Sequence, residues 1–163
     1  MTGSLVIKAD DLVGHPEKER PFKGIRDVSL RLGDSTVKGP MWVEGVAHGT
    51  VDGVQASFTA TGIGHMRCVR CLIEWDESVS AHGSQHFGKM PDEDGYVITE
   101  GEIDVGRPGM DELALALPLA PIHDETCKGL CPICGNDLNS DPCDGHKDDS
   151  DSPFAVLKDL FDS

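Results

Sequence analysis

The residues in this chain best suited to chemistry are its cysteines. Four of the six fall within Thr126–His146, a run with little in it that could build a core. Cys131-Pro-Ile-Cys134-Gly135 has the form of a zinc knuckle, two thiolates on one tight turn with a glycine after them so that the backbone can fold back. Cys68 and Cys71 make a second C-x-x-C far upstream, while Cys127 and Cys143 flank the first. Two residues between the sulfurs let both reach one ion, so two such pairs with further cysteines nearby are a strong metal signature.

Two histidines complete the count. His123 stands four residues before Cys127, and His146 three after Cys143, giving eight ligands and therefore two tetrahedral sites. The grouping favoured by these spacings is Cys68, Cys71, His123 and Cys127 on one Zn2+, with Cys131, Cys134, Cys143 and His146 on another. Two one-ion arrangements remain open: the two knuckles together (Cys68, Cys71, Cys131, Cys134), or a local set (Cys127, Cys131, Cys134, Cys143). In each, four protein ligands leave no position for water, so the ion is expected to be structural rather than catalytic. His65 is a possible substitute for His123. His82 and His86 are expected to face solvent, and Arg67 and Arg70 to pair with nearby carboxylates or meet a phosphate.

No G-x-S-x-G elbow, P-loop, dinucleotide fingerprint or H-E-x-x-H is present, so no enzyme is expected. A redox role for Cys131 and Cys134 is the one catalytic alternative, but no βαβ context surrounds them.

Several kinds of element must carry these ligands. Period-two alternation from Ile25 (Val28, Leu30, Leu32), then Met41–Ala47 and Val54–Ala60, predicts strands, with Asp52-Gly53 as a hairpin turn. Leu72–Ala81 predicts another strand, which puts Cys68 and Cys71 where two neighbouring strands meet; Tyr96–Ile98 and Ile103–Val105 suggest short ones. Gly109–Leu117 predicts a helix with Met110, Leu113 and Leu117 on one face, begun by Pro108 and stopped by Pro118. The expected fold is α+β, a single β-rich domain with an antiparallel sheet or barrel-like core, one or two helices and a zinc-bound cysteine-rich loop. Residues 1–24 are expected as an extended arm, 25–146 as the core, and 147–163 as an acidic linker followed by an amphipathic helix over Pro153–Phe161.

Composition narrows the partners. With 29 acidic residues against 14 basic ones and a net charge of −15, broad electrostatic gripping of nucleic acid is disfavoured. A basic protein partner suits this balance better. No stretch approaches the roughly 20 apolar residues of a membrane span, and no signal peptide is visible at the N-terminus. A cytoplasmic setting is expected, where clustered thiols stay reduced.

Cys68-Val-Arg-Cys71-Leu72, then Leu113-Ala-Leu-Ala-Leu117-Pro118 with Pro121, resembles the bacterial YceD family. Cys127-Lys-Gly-Leu-Cys131-Pro-Ile-Cys134-Gly135-Asn136-Asp137-Leu138-Asn139 and Pro153-Phe-Ala-Val-Leu157-Lys-Asp-Leu160 continue the likeness, in order, over residues 25–161. The chain is similar to the form with an added C-terminal cysteine cluster. It departs at Asp151-Ser152-Pro153-Phe154, where the family often has Asp-Pro-Arg, and at Cys143-Asp-Gly-His146, where relatives often show Cys-x-Cys. The resemblance implies a ribosome biogenesis factor supporting accumulation of large-subunit ribosomal RNA, with no enzymatic activity and no small-molecule substrate. Genes of this family often neighbour that of a small basic protein of the large subunit. Together with the acidity, this points to a basic ribosomal protein or assembly factor as partner, with rRNA contact indirect or weak and no membrane association. The alternative is direct rRNA binding through Arg67, Arg70 and Lys128.

Overall fold

The computed structural model describes residues 5–90, 95–141, 143 and 146. The acidic segment and the amphipathic helix expected over 147–163 lie outside the described residues.

Four long strands dominate: β2 (Glu19–Leu32), β3 (Ser35–Gly49), β4 (Gly53–Arg67) and β5 (Glu74–Gly88). They pair antiparallel in sequence order, and a separate two-stranded ribbon joins β1 (Val6–Lys8) to β6 (Glu102–Asp104). The fold is thus α+β with open antiparallel sheets; β2 and β5 are the outer strands, and among the described residues no barrel closes.

Alternation decides the two faces of the large sheet. Val28, Val37, Met41, Val43, Val54, Ala56, Phe58, Ala60, Met66, Val79 and Phe87 point to one side and are buried there. The opposite face carries hydroxyls, histidines and charges, among them Lys23, Glu44, Thr59 and His82, aligned across the strands.

The strands run longer than the sequence pattern indicates. β3 begins at Ser35 rather than Met41 because a register shift against β4 between Val37 and Trp42 absorbs Pro40, which has no N–H to give the ladder. The turn at Gly33-Asp34 joins β2 to β3 directly. β2 starts at Glu19, and Leu5, Ala9 and Leu12 are buried, so the described part of 1–24 is packed into the fold instead of standing out as an arm. Tyr96–Ile98 makes only an isolated bridge, Val97 to Gly88.

The helix α1 (Gly106–Ala116) lies across the apolar face of the sheet. It begins three residues before Gly109, where the Gly106 N–H donates to Asp104 Oδ1 at 3.0 Å. Pro108 falls in the first turn, where a missing N–H costs nothing. Close approach of helix and sheet depends on Gly62: a Cβ there would lie 3.0 Å from Val37 and 3.1 Å from Leu113, which is fully buried. After Leu117 the chain turns extended. Ser35, a buried polar residue, donates its hydroxyl to the Pro118 carbonyl at 2.6 Å. That bond pins the segment leaving the helix to the β2–β3 end of the sheet, the end where β4 gives way to Cys68.

Candidate metal centres

The first knuckle fills the turn between β4 and β5. Cys68 N–H donates to the Ile73 carbonyl at 2.8 Å, and Leu72 N–H to the Cys68 carbonyl at 2.9 Å. Closing this turn puts Leu72 in the left-handed region, with φ of 64°. The segment following α1 runs alongside, with Val69 N–H donating to the Pro121 carbonyl at 3.0 Å, and so delivers His123 and Cys127 to the knuckle. Arg70 clamps the second loop: its guanidinium donates to the Cys127 carbonyl at 2.9 Å and the Glu125 carbonyl at 3.4 Å. Its own carbonyl accepts from Leu130 N–H at 3.0 Å.

One ligand atom from each of Cys68, Cys71, His123 and Cys127 lies within 4.8 Å of all the others. Cys68 Sγ is 3.9 Å from Cys127 Sγ, and Cys71 Sγ is 3.3 Å from His123 Nδ1. With Zn–S near 2.3 Å and Zn–N near 2.0–2.1 Å, a tetrahedron sets S···S at about 3.8 Å and S···N at about 3.6 Å. The donor set and its spacing fit a tetrahedral ion. All three sulfurs are buried, and Trp75 packs edge-on to the His123 ring at a centroid distance of 6.4 Å. Burial works to raise the Cys68 thiol, but hydrogen bonds from the His123 side chain and backbone bring it down to about 5. Burial, with Cys68 and Cys127 alongside, pushes the Cys71 thiol up to about 11.

The second quartet is Cys131, Cys134, Cys143 and His146, again with ligand atoms within 4.8 Å of one another. Its knuckle closes through Cys131 N–H to the Asn136 carbonyl at 2.8 Å and Gly135 N–H to the Cys131 carbonyl at 2.9 Å. Gly135, at φ of 75°, occupies the position that Leu72 holds in the first knuckle. Backbone N–H groups of Cys134 and Ile133 draw the Cys131 thiol down to about 6. Cys131 is buried here, whereas Cys134 and His146 are exposed. Among the described residues, neither the two knuckles together nor the local set of Cys127, Cys131, Cys134 and Cys143 forms such a group.

Asn139 joins the two centres, and spacing alone did not single it out. Its Nδ2 donates to Cys127 Sγ at 3.6 Å, and its Oδ1 accepts from Lys128 N–H at 2.8 Å. Asp137 holds Asn139 in place by accepting from its backbone N–H at 2.9 Å, and that bond keeps the Asp137 carboxyl below its usual range. An N–H donor aimed at a cysteine sulfur, like an arginine gripping the ligand loop, is the kind of support that fixes ligand orientation at metal sites.

The remaining sequence candidates stand apart from both groups. His65 pairs with Asp76 at 2.5 Å, His82 bonds Thr59 at 2.8 Å, and His86 lies 3.3 Å from Thr50 Oγ1. Arg67 is held by Asp34.

Residues 56–161 match the family described as "Large ribosomal RNA subunit accumulation protein YceD", a span that includes every residue of both quartets. The chain belongs to the YceD family. It is 32% identical over 129 residues to an uncharacterized protein of Mycobacterium tuberculosis, and equally so to one of Mycobacterium bovis, covering 73% of this chain and 59% of each relative. It is also 34% identical over 59 residues to the chloroplastic YCED homolog 1 of Arabidopsis thaliana, 36% of this chain and 18% of that one. The chain therefore spans about three fifths of the length of the mycobacterial relatives it matches. No solved structure matches it. Among the described residues, no helix is long and apolar enough to cross a membrane.

Proposed function

We propose that this YceD-family chain is a non-enzymatic, cytoplasmic ribosome biogenesis factor that supports accumulation of large-subunit ribosomal RNA. The family match over residues 56–161 carries the proposal. Each quartet would hold a structural Zn2+ through four protein ligands, leaving no position for a substrate or an activated water. Bound zinc would supply a cross-link: at the first quartet between the β4–β5 turn and the loop after α1, and at the second among Cys131, Cys134, Cys143 and His146. At the first quartet the protein's own residues orient Cys127 through Arg70 and Asn139 and His123 through Trp75.

The chain acts on rRNA through a basic ribosomal protein or assembly factor. Its net charge of −15 supports this, as does the engagement of two cations that a direct RNA patch would use, Arg67 by Asp34 and Arg70 by loop carbonyls. Depletion in cells tests the first part: large-subunit rRNA should fall relative to small-subunit rRNA, and the Cys68→Ser variant should fail to restore it. Unchanged rRNA on depletion would overturn the proposal. For the partner, affinity capture should return a basic ribosomal or assembly protein that survives ribonuclease treatment; recovery of RNA alone would overturn that part.

A further inference from the structure

The two outer strands of the large sheet are treated very differently. An outer strand exposes a row of backbone N–H and C=O groups that can pair with another chain, and proteins usually guard it with proline, lysine, bulges or a covering segment. β2 follows this practice, with Arg20, Pro21, Lys23, Arg26 and Arg31 along its length. β5 does not. From Ser78 to Phe87 it contains no proline, lysine, arginine, aspartate or glutamate, and its register with β4 runs from Glu74 to Gly88 without a bulge. Among the described residues, no backbone bond from outside the sheet reaches Glu74–Ser84; the first is Ile98 N–H to the Gly88 carbonyl.

A groove lies beside this bare stretch. It has a volume of about 440 Å³ and is lined by Trp75, Val79, Pro118, Pro121 and Ile122, with Glu77 among the polar residues. Glu74, Asp76 and Glu77 make the start of β5 acidic, and Glu112 of α1 reaches over Gly83. Pairing with a second copy would bring two chains of −15 together, a repulsion that favours separate chains.

We propose that β5 is a strand-addition site that takes an extended, basic segment of a partner protein as a fifth strand of the sheet. Backbone pairing along Glu74–Ser84 supplies affinity, and the groove at Trp75, Val79 and Ile122 receives apolar side chains from alternate positions. Lysines or arginines on the other face of the incoming strand meet Glu74 and Asp76. Only the ribosomal origin of the partner rests on the function proposed above; the strand-pairing chemistry does not.

The test uses the full chain and a ten-residue probe peptide of alternating lysine and valine. A control peptide carries N-methyl groups on four successive central amides, which keeps every charge but removes the donors of both edges. The plain peptide should bind and protect β5 amides between Ser78 and Ser84 from hydrogen exchange, and the methylated one should bind at least tenfold more weakly. Ser80→Pro and Ala81→Pro form a second arm. Successive N–H groups point to opposite edges, so one of the two removes an outward donor while sparing the ladder to β4. The variant that retains the wild-type circular dichroism and melting should lose binding by a similar factor. Equal affinity for the two peptides would reduce the interaction to charge alone and overturn the proposal. So would protection located elsewhere, or dimerisation that the proline variant abolishes, which would make a second copy the occupant. The rRNA depletion result is independent of these peptides, so the two proposals fail separately.

Discussion

The two quartets should differ in what their loss does to the fold, and serine substitution separates them. Cys68 is fully buried between β4 and the loop that carries His123 and Cys127, residues distant in sequence. The second quartet draws all its ligands from residues 131–146, with Cys134 and His146 exposed. Ligand binding stabilises the native state by RT ln(1 + [L]/Kd), about 4 kcal/mol when free zinc exceeds Kd a thousandfold. For a chain of this length 1 kcal/mol moves Tm by roughly 2–4 °C. Cys68→Ser should therefore lower Tm by about 8–16 °C and reduce bound zinc from two ions to one. Cys131→Ser should also remove one ion, but because all four residues of that quartet come from one loop and none from the sheet, the sheet's melting should move by less than about 4 °C, the shift of roughly 1 kcal/mol. Metal content by mass spectrometry under native conditions and a thermal melt followed at the sheet's circular dichroism band provide the readout. Equal Tm losses would refute the argument that only the first centre braces the sheet. Two ions retained by either variant would refute the ligand assignment itself.

Leu113→Ala should destabilise the chain by about 2–5 kcal/mol, since it is the helix's fully buried leucine and packs at Gly62, where the backbone cannot move in to refill the space. A denaturant titration with unchanged slope checks it. Gly135→Ala should cost about 1–2 kcal/mol for its left-handed backbone, with no steric clash because nothing lies within 4 Å of the added Cβ. Its effect should be a weaker second zinc in a chelator competition, with zinc at the first centre unaffected.

Much of this molecule was legible in the sequence because local rules govern it. Residues that alternate between water and core reveal strands, as Val28-Ser29-Leu30 and Val54–Ala60 do. Pro118 ends α1 where a residue lacking N–H must. The C-x-x-C spacing fixes that each knuckle can present two sulfurs to one point, whatever surrounds it. The start of β3 was not legible: Gly39-Pro40 looks like a break, and it is the unbroken pairing with β2, Asp27 opposite Pro40, that carries the strand past the register shift against β4. Leu5, Ala9 and Leu12 have no period to announce them, and their burial depends on surfaces supplied by elements distant in sequence.

The grouping of the eight candidate ligands shows the same division. Sequence supplied their types and left three arrangements open, because spacing says nothing about which distant loops meet. The choice came from the Ser35–Pro118 bond, the Val69–Pro121 bond and the Arg70 clamp, which carry the chain after α1 back to the β4–β5 turn. Likewise, no residue of β5 by itself marks an outer strand; that status exists only because β2, β3 and β4 stack on its other side. Short-range geometry and residue chemistry are written in the chain, whereas proximity between segments far apart in sequence depends on the packing of the whole.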